Sequence, residues 1–332
     1  MVQQNVKYTD TERTSAERAR ALLEEMTLDE KIAQLGCIFP FGDSYDDMEQ
    51  QALEMPYGIG QVSTLEMRRI GTLEEAAGWQ RKMQETVMRQ SPHHIPAIFH
   101  MEGLCGAFIQ EGTSFPSGIA RGSGWDPELE EKIAKVVAKQ EAACGITHIL
   151  APVLDISRDS RMGRQGETYG EDPALAAALG TAYTKGIQTT EAGGRRPESV
   201  AKHFLGFHNS QGGIHGTNSD TPSRLMEEIY GKPFQSAISE SGLKGVMPCY
   251  NSIDGEPASV SHRLLTEILR EKMGFDGLCV SDYGGINNAH EGQRVGGAIG
   301  EKGLPSIEAG VDLKKAKAVG FGEGLQRKVP SG

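Results

Sequence analysis

Seven or eight times along this chain a short apolar or β-branched run is followed by a longer stretch with helical periodicity. That alternation limits the fold more than any other feature of the sequence. The runs are "GIGQVS" (58–63), "IPAIFHM" (95–101), "ITHILAPVLD" (146–155), "SVAKHFL" (199–205), "LKGVMPCY" (243–250), "GLCVSD" (277–282) and "GVDL" (310–313), with "LGCIF" (35–39) as an ambiguous eighth. Between them lie helices with readable start signals. "GWDPELEEKIAKVVAKQEAACG" offers Asp126 as N-cap, Pro127 in the first helical position, acidic residues in the first turn and Gly145 as a stop. "DTPSRLMEEIYGKPFQSAISESG" repeats the pattern and reads as one helix ending at Gly242. Sequence-level repeats are absent, so a solenoid is not indicated.

Repeated β-then-α units close into a barrel or open into a doubly wound sheet. The open sheet calls for a glycine-rich turn after its first strand, and "GIGQVSTLEM" is not a G-x-G-x-x-G. The barrel calls for chemically useful side chains at the carboxyl ends of several strands. His100-Met101-Glu102, Asp155, Lys202-His203, Tyr250-Asn251 and Asp282 occupy such ends. The expected fold is therefore α/β, a TIM-type (β/α)8 barrel with one irregular or missing strand. Its expected parts are a helical lead-in over 1–26, the barrel over 27–320 and a tail or linker over 321–332.

At 332 residues and 38% hydrophobic content the chain can bury a substantial core. A net charge of −11 argues against a nucleic-acid partner, which would gain from counterion release on a basic patch. The odd, widely spaced Cys37, Cys105, Cys144, Cys249 and Cys279 read as reduced thiols, not a disulfide framework, and none forms a C-x-x-C. The polar start "MVQQNVKYTDTERTSAERARALLEEM" lacks the apolar centre of a secretory signal, and no run approaches the roughly 20 apolar residues of a membrane span. A cytoplasmic location with no membrane partner is expected.

Each strand-end residue has a bland reading. A lone Asp282 caps a turn; Lys202 and His203, adjacent on a strand, would point to opposite faces; Arg158, Arg161 and Arg164 with Asp159 would form a salt-bridged loop. Five consecutive strands, however, deliver carboxylate, guanidinium, ammonium, imidazole and phenol to one end of one barrel. Such a set suits a polyhydroxylated ligand, because every sugar hydroxyl both donates and accepts. Phosphoryl transfer lacks a G-x-x-x-x-G-K-[ST] loop, and serine-nucleophile hydrolysis lacks a G-x-S-x-G elbow. His93-His94, His208 and His215 lack H-E-x-x-H spacing, so neither metal nor cofactor is called for.

"RDSRMGRQGETYGEDPALAAALG" (158–180), "KHFLGFH" (202–208), "VMPCYNSIDGEPAS" (246–259) and "GFDGLCVSDYGGI" (274–286) resemble, in this order, the amino-terminal barrel of glycoside hydrolase family 3. "TLDEKIAQL" (27–35), "FPSGIARGSGWDPEL" (115–129) and "EAGVDL" (308–313) extend the resemblance to nearly the whole chain. The resemblance implies a retaining, exo-acting, β-glucosidase-like hydrolase of terminal non-reducing β-linked sugars. Asp282 matches the nucleophile that forms a covalent glycosyl-enzyme. Glu102, Arg164, Lys202 and His203 match sugar-binding positions, Tyr250 a tyrosine near the nucleophile, and Tyr283 the aromatic wall where many members carry tryptophan. A nucleophilic carboxylate works as the anion, which neighbouring Lys and Arg charges favour. Gly284 and Gly285 are expected to keep the following loop slim, and Glu167 and Glu171 to hold the loop that carries Arg164.

Retention also needs a second acid roughly 5 to 5.5 Å from the nucleophile. In β-glucosidase-like members that glutamate sits on a second domain beyond the barrel, which is expected to be missing here; its association, or a homo-oligomer, would be the protein partner. A rival reading takes loop His215 as acid/base, as in N-acetylhexosaminidase-like or phosphorylase-like members. Gly213, however, occupies the place of the aspartate that would orient it. Cys105 replaces a common histidine, and the position near Ile214 lacks a common arginine. A third reading is a non-catalytic sugar-binding barrel.

Overall fold

The computed structural model describes residues 7–42, 44–295 and 303–313. Strands Cys37–Ile38, Gln61–Ser63, Ile98–Met101, His148–Ile149, Glu198–Phe204, Gly245–Pro248 and Leu278–Cys279 lie side by side in chain order, every neighbouring pair parallel. Leu313 extends the series through a parallel bridge to Val280, with Ser281 N–H donating to the Leu313 carbonyl at 2.8 Å. The sheet curls: the Tyr283 hydroxyl, just past the seventh strand, meets Ser63 and His100 on the second and third strands. This is the expected α/β architecture of the TIM-barrel class, and the expected tail over 321–332 lies outside the described residues.

Helices cover the outside. Pro127–Ala143 packs on Pro173–Gln188, which packs on Lys232–Ser241. Asp126 caps the first of these through its carboxylate, which accepts from Leu129 N–H at 2.9 Å, and Asp172 caps the second by accepting from Ala174 and Leu175. Such caps contribute about 1 kcal/mol each. Strand residues Val62, Phe99, Ile149, Val200, Val246 and Cys279 are all buried, because a parallel sheet under helices hides both its faces. That is why these runs read as continuously apolar and not as alternating.

One ambiguous expectation is resolved and three are corrected. "LGCIF" contains the first strand of the sheet, at 37–38. The run 146–155 keeps regular pairing only at His148–Ile149 and rejoins through a single bridge at Val153, because Pro152 has no N–H to give to a ladder. The helix read over 220–242 is broken at Gly231, where the chain leaves a wide turn, Met226–Tyr230, and restarts with Pro233 in its first turn. Gly284 meets nothing within 4 Å of a built Cβ; its backbone at φ +69° starts the helix Gly285–Glu291, so conformation and not slimness asks for glycine there.

The fifth strand is buried from Ser199 to Phe204. Phe204 on it is fully buried and meets Phe234 edge-to-face, ring centroids 5.1 Å apart. Phe204→Ala is expected to destabilise the fold by about 3–5 kcal/mol, whereas Leu23→Ala, at a half-exposed position of the first helix, should stay within about 0.5 kcal/mol. Denaturant midpoints measure both, and equal effects would contradict this packing.

Candidate active site

The carboxyl ends of the strands form one polar mouth. Asp282 follows the seventh strand, and its Oδ1 accepts the Tyr283 backbone N–H at 2.6 Å. Its Oδ2 lies 3.5 Å from His203 Nε2. Behind that imidazole, Asp155 Oδ2 takes both the His203 ring Nδ1 at 2.8 Å and the His203 backbone N–H at 3.2 Å. An Arg164 N–H meets His203 Nε2 at 3.2 Å, while the same guanidinium clamps Glu167 through two bonds of 2.6 and 2.7 Å. Because a guanidinium only donates, Nε2 accepts here and the proton sits on Nδ1. Lys202 reaches across from the fifth strand to Glu102 beyond the third, Nζ to Oε2 2.5 Å.

Burial of these charges is offset by their pairing. Burial works against the charge of Arg164, but Glu167 above all, with Asp155 and Asp282, outweighs it and holds the guanidinium protonated. Burial pushes the Asp155 carboxyl up to about 8, opposed by Arg164 and by the His203 backbone N–H. Tyr250 donates its hydroxyl to the Tyr283 carbonyl at 2.8 Å. Burial first, and the Asp282 carboxylate second, raise its pKa. Tyr283 is raised by burial and by Glu102, with its hydroxyl 3.1 Å from both Ser63 Oγ and His100 Nε2.

Glu102, Arg164, Lys202, His203, Tyr250, Asp282 and Tyr283 are thus brought to one mouth. Lys202 and His203 do not point to opposite faces as strand alternation predicts; the pairing register shifts between Lys202 and Phe204, so both side chains reach the same cluster. Glu167 holds Arg164 as expected, whereas Glu171 is exposed and is not bonded to it. Sequence reasoning placed His100 at a strand end without giving it a role, and it missed Ser63 on the neighbouring strand. It also missed Phe207, a buried ring under the Arg164 guanidinium at 5.1 Å and against His203 at 4.6 Å. Its only trace was an apolar residue inside a motif otherwise read for charge. Asn251, buried, ties that segment down through Phe207 O at 3.1 Å and Ser210 Oγ at 2.9 Å.

His215 stands at the rim with its ring 4.8 Å from Tyr250 and 5.2 Å from Phe207. Burial and Arg164 lower its pKa, opposed by Asp282 and Glu167, so less of the ring carries the proton an acid would give. An aspartate at 213 is sterically barred: a Cβ there would come 2.5 Å from Arg161 Cβ, on a backbone at φ +70°. Among the described residues no group of three or more His, Cys, Asp or Glu side chains could hold a metal ion.

Residues 27–324 match the Glycosyl hydrolase family 3 N terminal domain. A β-xylosidase of Formosa agariphila is 35% identical over 228 residues, 66% of this chain and 32% of its own length. The solved structure of a β-glucosidase from Erythrobacter marinus superposes with a TM-score of 0.88 at 31% identity, over 97% of this chain and 43% of that one. A β-glucosidase from Listeria innocua, solved in complex with glucose, gives 0.83 at 28% identity over 95% and 43%. The chain therefore spans about a third to under half of the length of these relatives.

His208, buried one turn beyond the fifth strand, is pushed down to about 4 by burial and by Arg164, with Glu167 opposing. In an unfolded chain it titrates near 6.5. As pH falls below that value the unfolded state gains a proton that the folded state refuses, and stability falls, by at most about 3 kcal/mol near pH 4. His208→Gln should flatten the decline of the denaturant midpoint between pH 7 and 4; parallel declines in the two proteins would contradict the assignment.

Proposed function

The chain belongs to glycosyl hydrolase family 3, and from that premise we propose that it hydrolyses terminal, non-reducing β-glucosides or β-xylosides with retention of configuration, Asp282 being the nucleophile. The observation that carries the proposal is the placement of the Asp282 carboxylate. One oxygen is fixed by a backbone N–H at 2.6 Å, and the other faces His203 beside Arg164 in a mouth closed by the Lys202–Glu102 pair. In this reading Lys202, Glu102, Arg164 and His203 bind the hydroxyls of the terminal sugar, and Tyr283 walls the ring.

In the first step an Asp282 oxygen attacks the anomeric carbon, the glycosidic bond breaks, and the leaving oxygen takes a proton from an acid. In the second step water attacks the same carbon, gives its proton to the conjugate base of that acid, and releases Asp282. The charge arrangement supports the nucleophile but offers no free acid in the mouth among the described residues. Glu102 is engaged by Lys202, Glu167 by Arg164, and Asp155 lies behind the His203 ring. His215 lacks an orienting carboxylate. The proton donor is accordingly proposed to come from outside the described residues, and turnover of unactivated glycosides by the described barrel is expected to be slow.

An activated 2-deoxy-2-fluoro glycoside needs little help in leaving, so it should trap the intermediate on this chain. Peptide mass spectrometry is expected to find the adduct on Asp282, and Asp282→Asn should abolish labelling and lower hydrolysis of a dinitrophenyl glycoside at least about a thousandfold. An adduct on another residue, or undiminished hydrolysis in the variant, would overturn the assignment. Glucose binding without any labelling would favour a sugar-binding barrel instead.

A further inference from the structure

A second concavity opens beside the mouth, between the segment after the third strand and the segment after the fourth. Its volume is about 870 Å³, within the roughly 300–1,000 Å³ of small-molecule sites. Trp125, Ile119 and Leu175 give it apolar walls, and Arg158, Gln165 and Glu171 give it polar ones. Trp125 is 65% exposed, and its backbone sits at φ +52°, in the left-handed region that bulky residues rarely adopt. Burial of the indole therefore does not compensate that conformation. Arg158, Gln165 and Glu171 direct no side-chain hydrogen bond or ion pair into the rest of the described chain. An open aromatic plate is thus ringed by a cation, an amide and an anion whose side chains make no hydrogen bond or ion pair among the described residues.

The concavity is joined to the mouth by close backbone packing. The helix Gly118–Gly122 forms one wall, and a Cβ at Gly118 would come 2.2 Å from the Glu167 carbonyl. A Cβ at Gly122 would come 2.3 Å from that of Tyr169. Gln165 is the immediate neighbour of Arg164, whose guanidinium touches His203. Whatever fills the concavity lies against the outer side of the segment that holds the sugar-facing arginine.

We propose that this concavity is a second carbohydrate site that holds the internal units of a β-linked oligosaccharide, with the indole of Trp125 as the stacking surface and Arg158, Gln165 and Glu171 bonding to hydroxyls. Flat rings with one apolar face fit an indole plate, and hydroxyls, which donate and accept, fit a mixed set of charges better than a phosphate or a cation would. The choice of ligand rests on the glycosidase reading. It narrows that reading from β-glucosides and β-xylosides in general to oligomeric or polymeric β-glucans and β-xylans, held at a point separate from the bond that breaks.

The chain has two tryptophans, Trp79, 5% exposed, and Trp125, so intrinsic fluorescence reports on the concavity. Cellopentaose, laminaripentaose or xylopentaose is expected to shift the emission saturably, whereas glucose leaves it unchanged. By calorimetry Trp125→Ala should weaken binding of the pentasaccharide about tenfold or more, and Trp125→Phe should restore most of it. Fluoro-glycoside labelling of Asp282 should be the same in all three proteins. Equal pentasaccharide affinity in wild type and Trp125→Ala, no binding of any of the three pentasaccharides, or complete displacement by glucose would overturn the proposal. Loss of labelling with retained Trp125-dependent binding would instead count against the nucleophile and leave the second site standing.

Discussion

The structure depends on mutual compensation of charge in a partly buried mouth. Lys202 and Arg164 bring positive charge among Glu102, Glu167 and Asp282, with Asp155 behind His203, and Lys202, Asp155 and Asp282 are themselves buried. Removing such charges from water costs several kcal/mol per ion unless each has a partner in good geometry. The members come from four strand ends, Glu102 after the third, Asp155, Arg164 and Glu167 after the fourth, Lys202 and His203 on the fifth and Asp282 after the seventh, so the complete set exists only when the sheet has curled far enough to bring those strands together. Loss of one member leaves its partner buried and unpaired, with a penalty of about 3–5 kcal/mol. The polar mouth is therefore a constraint on the fold as much as a product of it.

What keeps these partners in place is mostly apolar or backbone. Phe207 lies under both Arg164 and His203, and Asn251 fastens the segment that carries it. The Gly118–Gly122 helix lies backbone to backbone on the segment bearing Glu167, and Tyr283 reaches over to Ser63 and His100. A sugar-binding mouth made of long flexible side chains would lose affinity to their ordering; here the ordering is done in the folded chain.

The barrel class was legible because buried parallel strands leave uninterrupted apolar runs, and because helix starts such as Asp126-Pro127 carry a local chemical signature. The strand-end polar residues were legible for the same reason: a run such as Leu278–Val280 turns polar where it leaves the core. Irregular backbone was not legible. The shifted register at Lys202–Phe204 defeats simple alternation, and the break at Gly231 depends on how a wide turn packs. Supporting residues were hidden too. Phe207 and Ser63 look like any core residue in sequence, and only the curl of the sheet shows what they touch. Glu171, conversely, looked like a loop brace and lies instead at the edge of the second concavity.

The central claim is that Asp282 attacks the sugar and that the mouth around it serves a double displacement. The stereochemistry of the first-formed product tests this most directly. Proton NMR during hydrolysis of a dinitrophenyl β-glycoside, recorded before mutarotation, should show the β-anomer of the free sugar appearing first and the α-anomer only later. First appearance of the α-anomer would mean a single displacement by water and would contradict a covalent role for Asp282.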